Sequence, residues 1–143
     1  MIRASIVTSP IFPDKLAAEV ADAGNGATAV FVGTVRRTNE GREVSGIEYS
    51  AYRSMAEREM TAILSEAAGS FDISGAVIEH RVGELAVGEI SIAVVVAAPH
   101  RRPAIDAMSR IVEETKKRAP VWKLEHYVDG TREWVGASGE VPA

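Results

Sequence analysis

The sequence predicts an α+β fold, a two-layer domain with a mostly antiparallel sheet, and three observations carry that expectation. Short β-branched stretches alternate with amphipathic ones in the order β-α-β-β-α-β-β-α-β-β, so many neighbouring strands follow one another directly. Turn signals separate them, the clearest being Asp129-Gly130. Neither GxGxxG nor GxxxxGK[ST] occurs, which removes the glycine loops of classical nucleotide-binding folds. With 143 residues, 46% of them hydrophobic, the chain can bury a core and reads as one domain over 1–143.

The elements follow in order. Ile2–Thr8 reads as a strand, and Asp14–Ala23 as a helix with Leu16 and Val20 on one face and Gly24 as its stop. Ala27–Val35 (ATAVFVGTV) has the content of a buried strand. Asn39-Glu40-Gly41 marks a flexible turn before a strand at Val44–Tyr52. Ser54-Met55-Ala56-Glu57 has capping-box spacing, and Ala56, Met60, Ile63, Leu64 and Ala67 recur at helical intervals up to Gly69. Gly75–Val82 and Glu89–Ala98 form strands around a Gly83–Gly88 turn. Pro103 suits the first turn of a helix whose apolar face is Ala104, Ile105, Met108, Ile111, Val112 and Thr115. Ala119-Pro120 ends it, because proline disfavours helix in the residue before it. Val121–Val128 and Thr131–Val135 close the pattern, followed by a short tail punctuated by Gly and Pro.

Composition narrows the chemistry. There is no cysteine, so the chain offers no disulfide, thiolate cluster or thiol nucleophile; sulfur chemistry would need sulfur on another molecule. Its three histidines form no HxH or HxxxH pair, so neither a metal site nor a cofactor is expected. A formal net charge of -4 argues against nucleic-acid coating. No apolar run approaches the roughly 20 residues of a membrane span, and no basic segment precedes an apolar one at the start. A cytoplasmic location without membrane association is expected.

Against that acidity, His100–Lys123 carries seven basic residues and three acidic ones, a local excess of +4. Lys116 borders the apolar helix face, and Lys123 follows the proline break on a strand where Val121, Lys123 and Glu125 share one side. A chain that turns back at Pro120 brings both ammonium groups toward one cleft, where partial burial makes lysine a proton donor or acceptor. Taken singly, Lys116, Lys117 and Arg118 fit a solvated helix end favoured by the dipole better than they fit a site, whereas Lys123 lies between Trp122 and Leu124 in an otherwise packable strand. His100-Arg101 sits where a strand gives way to a helix, an arrangement that serves either as an anion site or as a polar loop. Thr34-Val35-Arg36 ends a buried strand, and its arginine can reach a rim. His80 is read as structural, His126 as a surface residue, and Tyr49, Tyr52 and Met55 as packing. The residues alone leave open a module that grips a C-terminal tail, or a site for a phosphometabolite.

Five segments resemble the large, catalytic subunit family of molybdopterin synthase: Gly26–Arg36, Ile47–Glu57, Ile78–Glu89, Pro99–Ala104 and Lys116–Glu125, in matching order and separation. The resemblance implies an α/β-hammerhead-containing domain and sulfur transfer to cyclic pyranopterin monophosphate. It implies a small ubiquitin-like sulfur-carrier subunit with a C-terminal thiocarboxylate, and a central homodimer of large subunits. Lys116 and Lys123 fall on the family's catalytic lysines. Thr34, Val35, Arg36, His100, Arg101, Leu124 and Glu125 fall on its substrate-binding positions, with Arg36 contributed in cis or from the neighbouring subunit. Pro99 and Ile105 depart from the family pattern, which usually has a small non-proline residue and an aromatic there. On this resemblance Lys117, Arg118, Arg102 and Arg110 are set aside as solvated.

Overall fold

A computed structural model describes residues 1–136, so the last part of the Gly/Pro tail, 137–143, lies outside the described residues. The chain runs β1 (Ile2–Val7), α1 (Pro13–Glu19), β2 (Ala27–Thr34), β3 (Thr38–Asn39), β4 (Arg42–Ala51) and α2 (Arg53–Ser70). It continues through β5 (Gly75–Arg81), β6 (Gly83–Ala86), β7 (Ile90–Ala98), α3 (Arg101–Arg118), β8 (Val121–Tyr127) and β9 (Arg132–Gly136). One sheet has the order β1-β5-β7-β2, and the other β3-β4-β8-β9 with β6 also paired to β4. Every pairing is antiparallel except β1 with β5. The α+β expectation is met. Among the described residues no helix is long and apolar enough to cross a membrane.

Strands β5 and β7 are apolar on both sides because both faces are covered. Ala76, Ile78, Val94 and Val96 pack with Met60, Ile63 and Leu64 of α2 and Ala107 and Ile111 of α3. The opposite set, Val77, Ala93, Val95 and Ala97, meets Leu16 and Val20 at α1. Strand β2 is one of the sheet's two edge strands and alternates instead, leaving Val30 46% and Val32 38% exposed.

Five local expectations change. The capping box does not form: α2 starts at Arg53 behind Tyr52 without a side-chain cap, and the Glu57 carboxylate accepts the Ile6 N–H of β1 at 2.8 Å. Helix α1 ends at Glu19, well before Gly24. The Gly83–Gly88 turn contains β6, and Thr38–Asn39 pairs with β4 across Glu40-Gly41, both at positive φ. Strands of two and four residues are too short to show a period. Arg118 is not simply solvated; it forks onto Glu66 at 2.8 Å through two nitrogens and reaches Glu59 at 2.7 Å, tying the end of α3 to α2.

After β2 the register shifts between Gly33 and Thr34, and the chain crosses to the second sheet. Val35 is buried there with Val44, Ile47, Leu85 and Tyr127. At the other end of β2, Gly26 N–H donates to Ala98 O at 3.0 Å. A Cβ at Gly26 would lie 2.4 Å from the carbonyl oxygen of Pro99, so only glycine lets the start of β2 lie against the loop that carries His100. Gly26→Ala must displace backbone, and chemical denaturation should show a loss of about 1–3 kcal/mol.

Candidate active site

A cleft of about 590 Å³ opens where β2, β4, β5, β7, the end of α3 and β8 meet. Lys116, Lys123 and Arg36 all line it. Their convergence rests on how α3 stops. Ala119 N–H still bonds to Thr115 O at 3.0 Å, but Ala119 itself is extended at ψ 127, and Pro120 cannot continue the helix. Strand β8 then pairs with β4, Val121 against Ala51 and Lys123 against Tyr49. Lys116 is left on the last helical turn and Lys123 two residues into the strand.

Lys123 has a nearby anion. Its Nζ lies 3.9 Å from Oε1 of Glu125, a buried carboxylate whose Oε2 accepts from Asn39 Nδ2 at 2.7 Å and from the Tyr127 hydroxyl at 3.4 Å. Arg42 lies over the Tyr127 ring, 3.5 Å from its centroid. Glu125 is therefore fixed from the side away from the lysine. It acts on the cleft through Lys123 rather than by lining the space.

Beneath the cations the wall is uncharged. His80 is buried; its Nδ1 lies 3.0 Å from Arg81 O, and its ring meets Tyr49 edge-on at 5.1 Å. Burial pushes the imidazole down to about 4, outweighing the carbonyl contact, so it is neutral near pH 7. Burial likewise raises the Tyr49 phenol, opposed by Ser91 and reinforced by Glu125. Ser91 and Thr115 are the other buried polar residues of the lining, beside the apolar Ala119 and Val121. Sequence reasoning passed over these four polar residues. His80 carried a usable signal, because it continues the Ala76–Ile78 parity of β5 toward the α2–α3 side.

The other candidate positions lie elsewhere. Thr34 lines the cleft, whereas Val35 and Leu124 are buried, 2% and 9% exposed, and belong to the packing behind it. His100 and Arg101 are exposed at the start of α3, fifteen residues before Lys116, roughly 22 Å along the helix. One chain does not bring that pair to the lysines.

The fold and this cleft define an α+β enzyme component with a cationic pocket between two sheets. Residues 6–118 match the family model described as MoaE protein, and the chain belongs to that family. It is 45% identical over 129 residues to the molybdopterin synthase catalytic subunit of Pyrococcus abyssi (strain GE5 / Orsay), covering 90% of this chain and 86% of the relative. The solved molybdopterin synthase from Staphylococcus aureus superposes with a TM-score of 0.86 at 31% identity, over 91% of this chain and 94% of the other. A complex of subunits 1 and 2 of molybdopterin-converting factor from Helicobacter pylori 26695 shares the fold, with a TM-score of 0.75 at 21% identity over 92% of this chain and 88% of the other. The chain is an enzyme subunit of the molybdopterin synthase catalytic type.

The depressed His80 titration has a visible consequence. The neutral ring favours the folded state above 6.5, so stability should fall as pH drops from 6.5 toward about 4, then flatten. The loss attributable to this residue is about 3 kcal/mol. Urea unfolding of wild type and His80→Phe between pH 4 and 7 should show that component only in wild type.

Proposed function

We propose that this chain transfers sulfur from the C-terminal thiocarboxylate of a small ubiquitin-like carrier subunit to cyclic pyranopterin monophosphate, building the dithiolene of molybdopterin. The observation that carries the reading is the meeting of Lys116, Lys123 and Arg36 at one cleft in a chain without cysteine. The sulfur must arrive on the partner, and the cleft offers cations to an incoming carboxyl-type tail. The two-subunit Helicobacter pylori complex supports a partner of this kind. The proposed location is the cytoplasm.

In this mechanism the thiocarboxylate sulfur bonds to a side-chain carbon of the pterin as a C–O bond at that carbon breaks, the oxygen leaving with a proton as a phosphate-ester group or as water, and a second carrier repeats the step at the neighbouring carbon. Water then cleaves the acyl–sulfur bond, so the carrier leaves as a carboxylate and the sulfur stays on the pterin. Lys116 and Lys123 move the protons this requires and stabilise the oxyanion that forms at the acyl carbon. Glu125 orients Lys123 from 3.9 Å. Val35 and Leu124 hold the backbone around Thr34 and Lys123.

Arg36, His100 and Arg101 take the phosphate, and the last two come from a second copy. Among the described residues β2 is an unpaired edge with Val30 and Val32 exposed, a surface that invites pairing. Two β2 strands paired antiparallel about a two-fold axis set Ala27 of one chain against Thr34 of the other. Within each chain Ala27 pairs with Ala98 at the end of β7. The partner's His100-Arg101 therefore reaches the Thr34–Arg36 side of the cleft, while Arg36 acts in cis.

Lys116→Ala and Lys123→Ala should each lower kcat about 10²-fold or more in an assay with thiocarboxylated carrier and cyclic pterin. Near-normal turnover in both would refute their roles. The composite site has a sharper test. Lys116→Ala and a His100→Ala/Arg101→Ala double variant, each nearly inactive alone, should regain activity after subunit exchange, because mixed dimers contain one intact cleft. No recovery in confirmed mixed dimers would place the whole site in a single chain.

A further inference from the structure

Glu125 is a carboxylate in a place where apolar side chains pack. It is 3% exposed on the face of β8 that it shares with Tyr127, and its strand partner Ile47 belongs to the same buried cluster as Tyr127. A buried carboxylate costs free energy unless donors meet its oxygens. Here the two oxygens are met by different elements. Oε2 accepts from Asn39 Nδ2 at 2.7 Å and from the Tyr127 hydroxyl at 3.4 Å. Oε1 faces Lys123 Nζ at 3.9 Å, and among the described residues no other cation pairs with this carboxylate.

The shorter of the two bonds to Oε2 comes from a tight hairpin. Glu40 and Gly41 hold φ of 50° and 77°, as in the mirror-image turns that join antiparallel strands, and they set Asn39 opposite Arg42. Opposed residues project from the same face of a hairpin, and both of these reach Tyr127. Asn39 Nδ2 lies 3.1 Å from its hydroxyl, and the Arg42 guanidinium 3.5 Å from its ring centroid. Arg42 also bonds to Thr131 Oγ1 and lies 3.6 Å from Asp129 and 3.5 Å from Glu133, while Val128 N–H donates to Glu43 O at 3.0 Å. The hairpin is thus fastened to the end of β8 and to the turn after it. The amide has one usable orientation, because its carbonyl turned toward Glu125 would set acceptor against acceptor. Neither Asn39 nor Tyr127 lines the cleft, so the bond serves no ligand directly.

We infer that Asn39 is a positioning residue for the sulfur transfer: it holds Glu125 Oε2 away from the cleft, so that Oε1 alone steers the Lys123 ammonium. The inference rests on the catalytic reading of Lys123 above and adds the β3–β4 hairpin to the machinery, although Asn39 touches nothing that reacts. Without the amide, Oε2 keeps only the longer bond from Tyr127, and the one cation paired with the carboxylate is Lys123. The carboxylate then turns both oxygens toward the lysine and draws it off the cleft. A displacement of about 1 Å at a reacting group can cost roughly 10²-fold in rate.

The test asks whether the effect of Asn39 passes through Lys123. With thiocarboxylated carrier and cyclic pterin, Asn39→Ala should lower kcat about ten-fold, while the KM for the pterin and the affinity for the carrier stay within about two-fold. A residue that only supports the fold lowers Tm and the amount of active protein, not the turnover of each folded molecule. The decisive comparison is made in Lys123→Ala. There, adding Asn39→Ala should slow turnover by less than about two-fold more, because the side chain it acts on is already gone. An unchanged kcat in folded Asn39→Ala overturns the inference, and so does a loss that persists in full in Lys123→Ala or appears in KM instead. If Asn39→Ala does not fold, Asn39→Ser, with a donor on a shorter arm, carries the same comparison with the same outcomes. Near-normal turnover in Lys123→Ala overturns the catalytic reading of that lysine and this inference together. A slow Lys123→Ala beside a fully active Asn39→Ala overturns this one alone.

Discussion

The cleft exists because helix gives way to strand within two residues, at Ala119-Pro120. Three hydrogen bonds hold that break: Ala119 N–H to Thr115 O, Val121 N–H to Ala119 O, and Tyr52 N–H to Pro120 O at 3.3 Å. The last ties the end of α3 to the residue preceding α2, and the Tyr52 ring meets Trp122 edge-on at 4.8 Å. Had the helix continued, Lys123 would stand two turns beyond Lys116, roughly 10 Å further along the same face. Pairing of β8 with β4 instead sets Lys123 opposite Tyr49, facing back over the cleft. The lysines belong to different elements, so relaxing the proline break would part them without altering either side chain.

The same break sorts the electrostatics. Cations at the mouth remain in contact with water, where their desolvation is small, and the one half-buried lysine is matched by Glu125. The carboxylate, in turn, is buried and held by Asn39 and Tyr127, which come from the short β3 and from β8. Deeper in, no charge lines the wall, and His80 is held neutral by burial. A low-dielectric floor beneath a charged rim strengthens every field acting at the rim. Thus the uncharged residues matter to the lysines even where they do not touch them.

How much of this was legible in the sequence varied with length scale. The three helices and the long strands were readable because their apolar periods run for many residues, and Pro120 and Asp129-Gly130 are strong local signals. The two short strands were not, since pairing to β4 rather than any local pattern creates them. Lys116 and Lys123 could be placed on either side of a break from the sequence, and the segment resemblance gave them a role. His80, Tyr49, Ser91 and Thr115 escaped because each looks like packing in its own element; only tertiary assembly brings them to one wall. Arg118 was misread for a related reason. Its partners Glu59 and Glu66 lie on α2, more than fifty residues earlier, and no spacing rule connects them.

The distance between His100-Arg101 and the lysines is best understood as a property of α3 together with β2. Helix α3 carries cationic residues at both ends, and β2 lies beside β7, which leads into that helix. An eighteen-residue helix and an eight-residue strand both span roughly 27 Å, so an antiparallel two-fold at β2 superposes opposite ends of the two chains. On the proposed reading, that geometry turns a separation too large for one chain into proximity between two. It also accounts for an edge strand that presents Thr28, Val30, Val32 and Thr34 without a single charge, where an unpaired edge would ordinarily carry lysine or proline for protection. On the proposed reading the uncharged edge, the glycine that seats His100 against β2 and the split placement of the cations are one arrangement: each chain builds half of two sites.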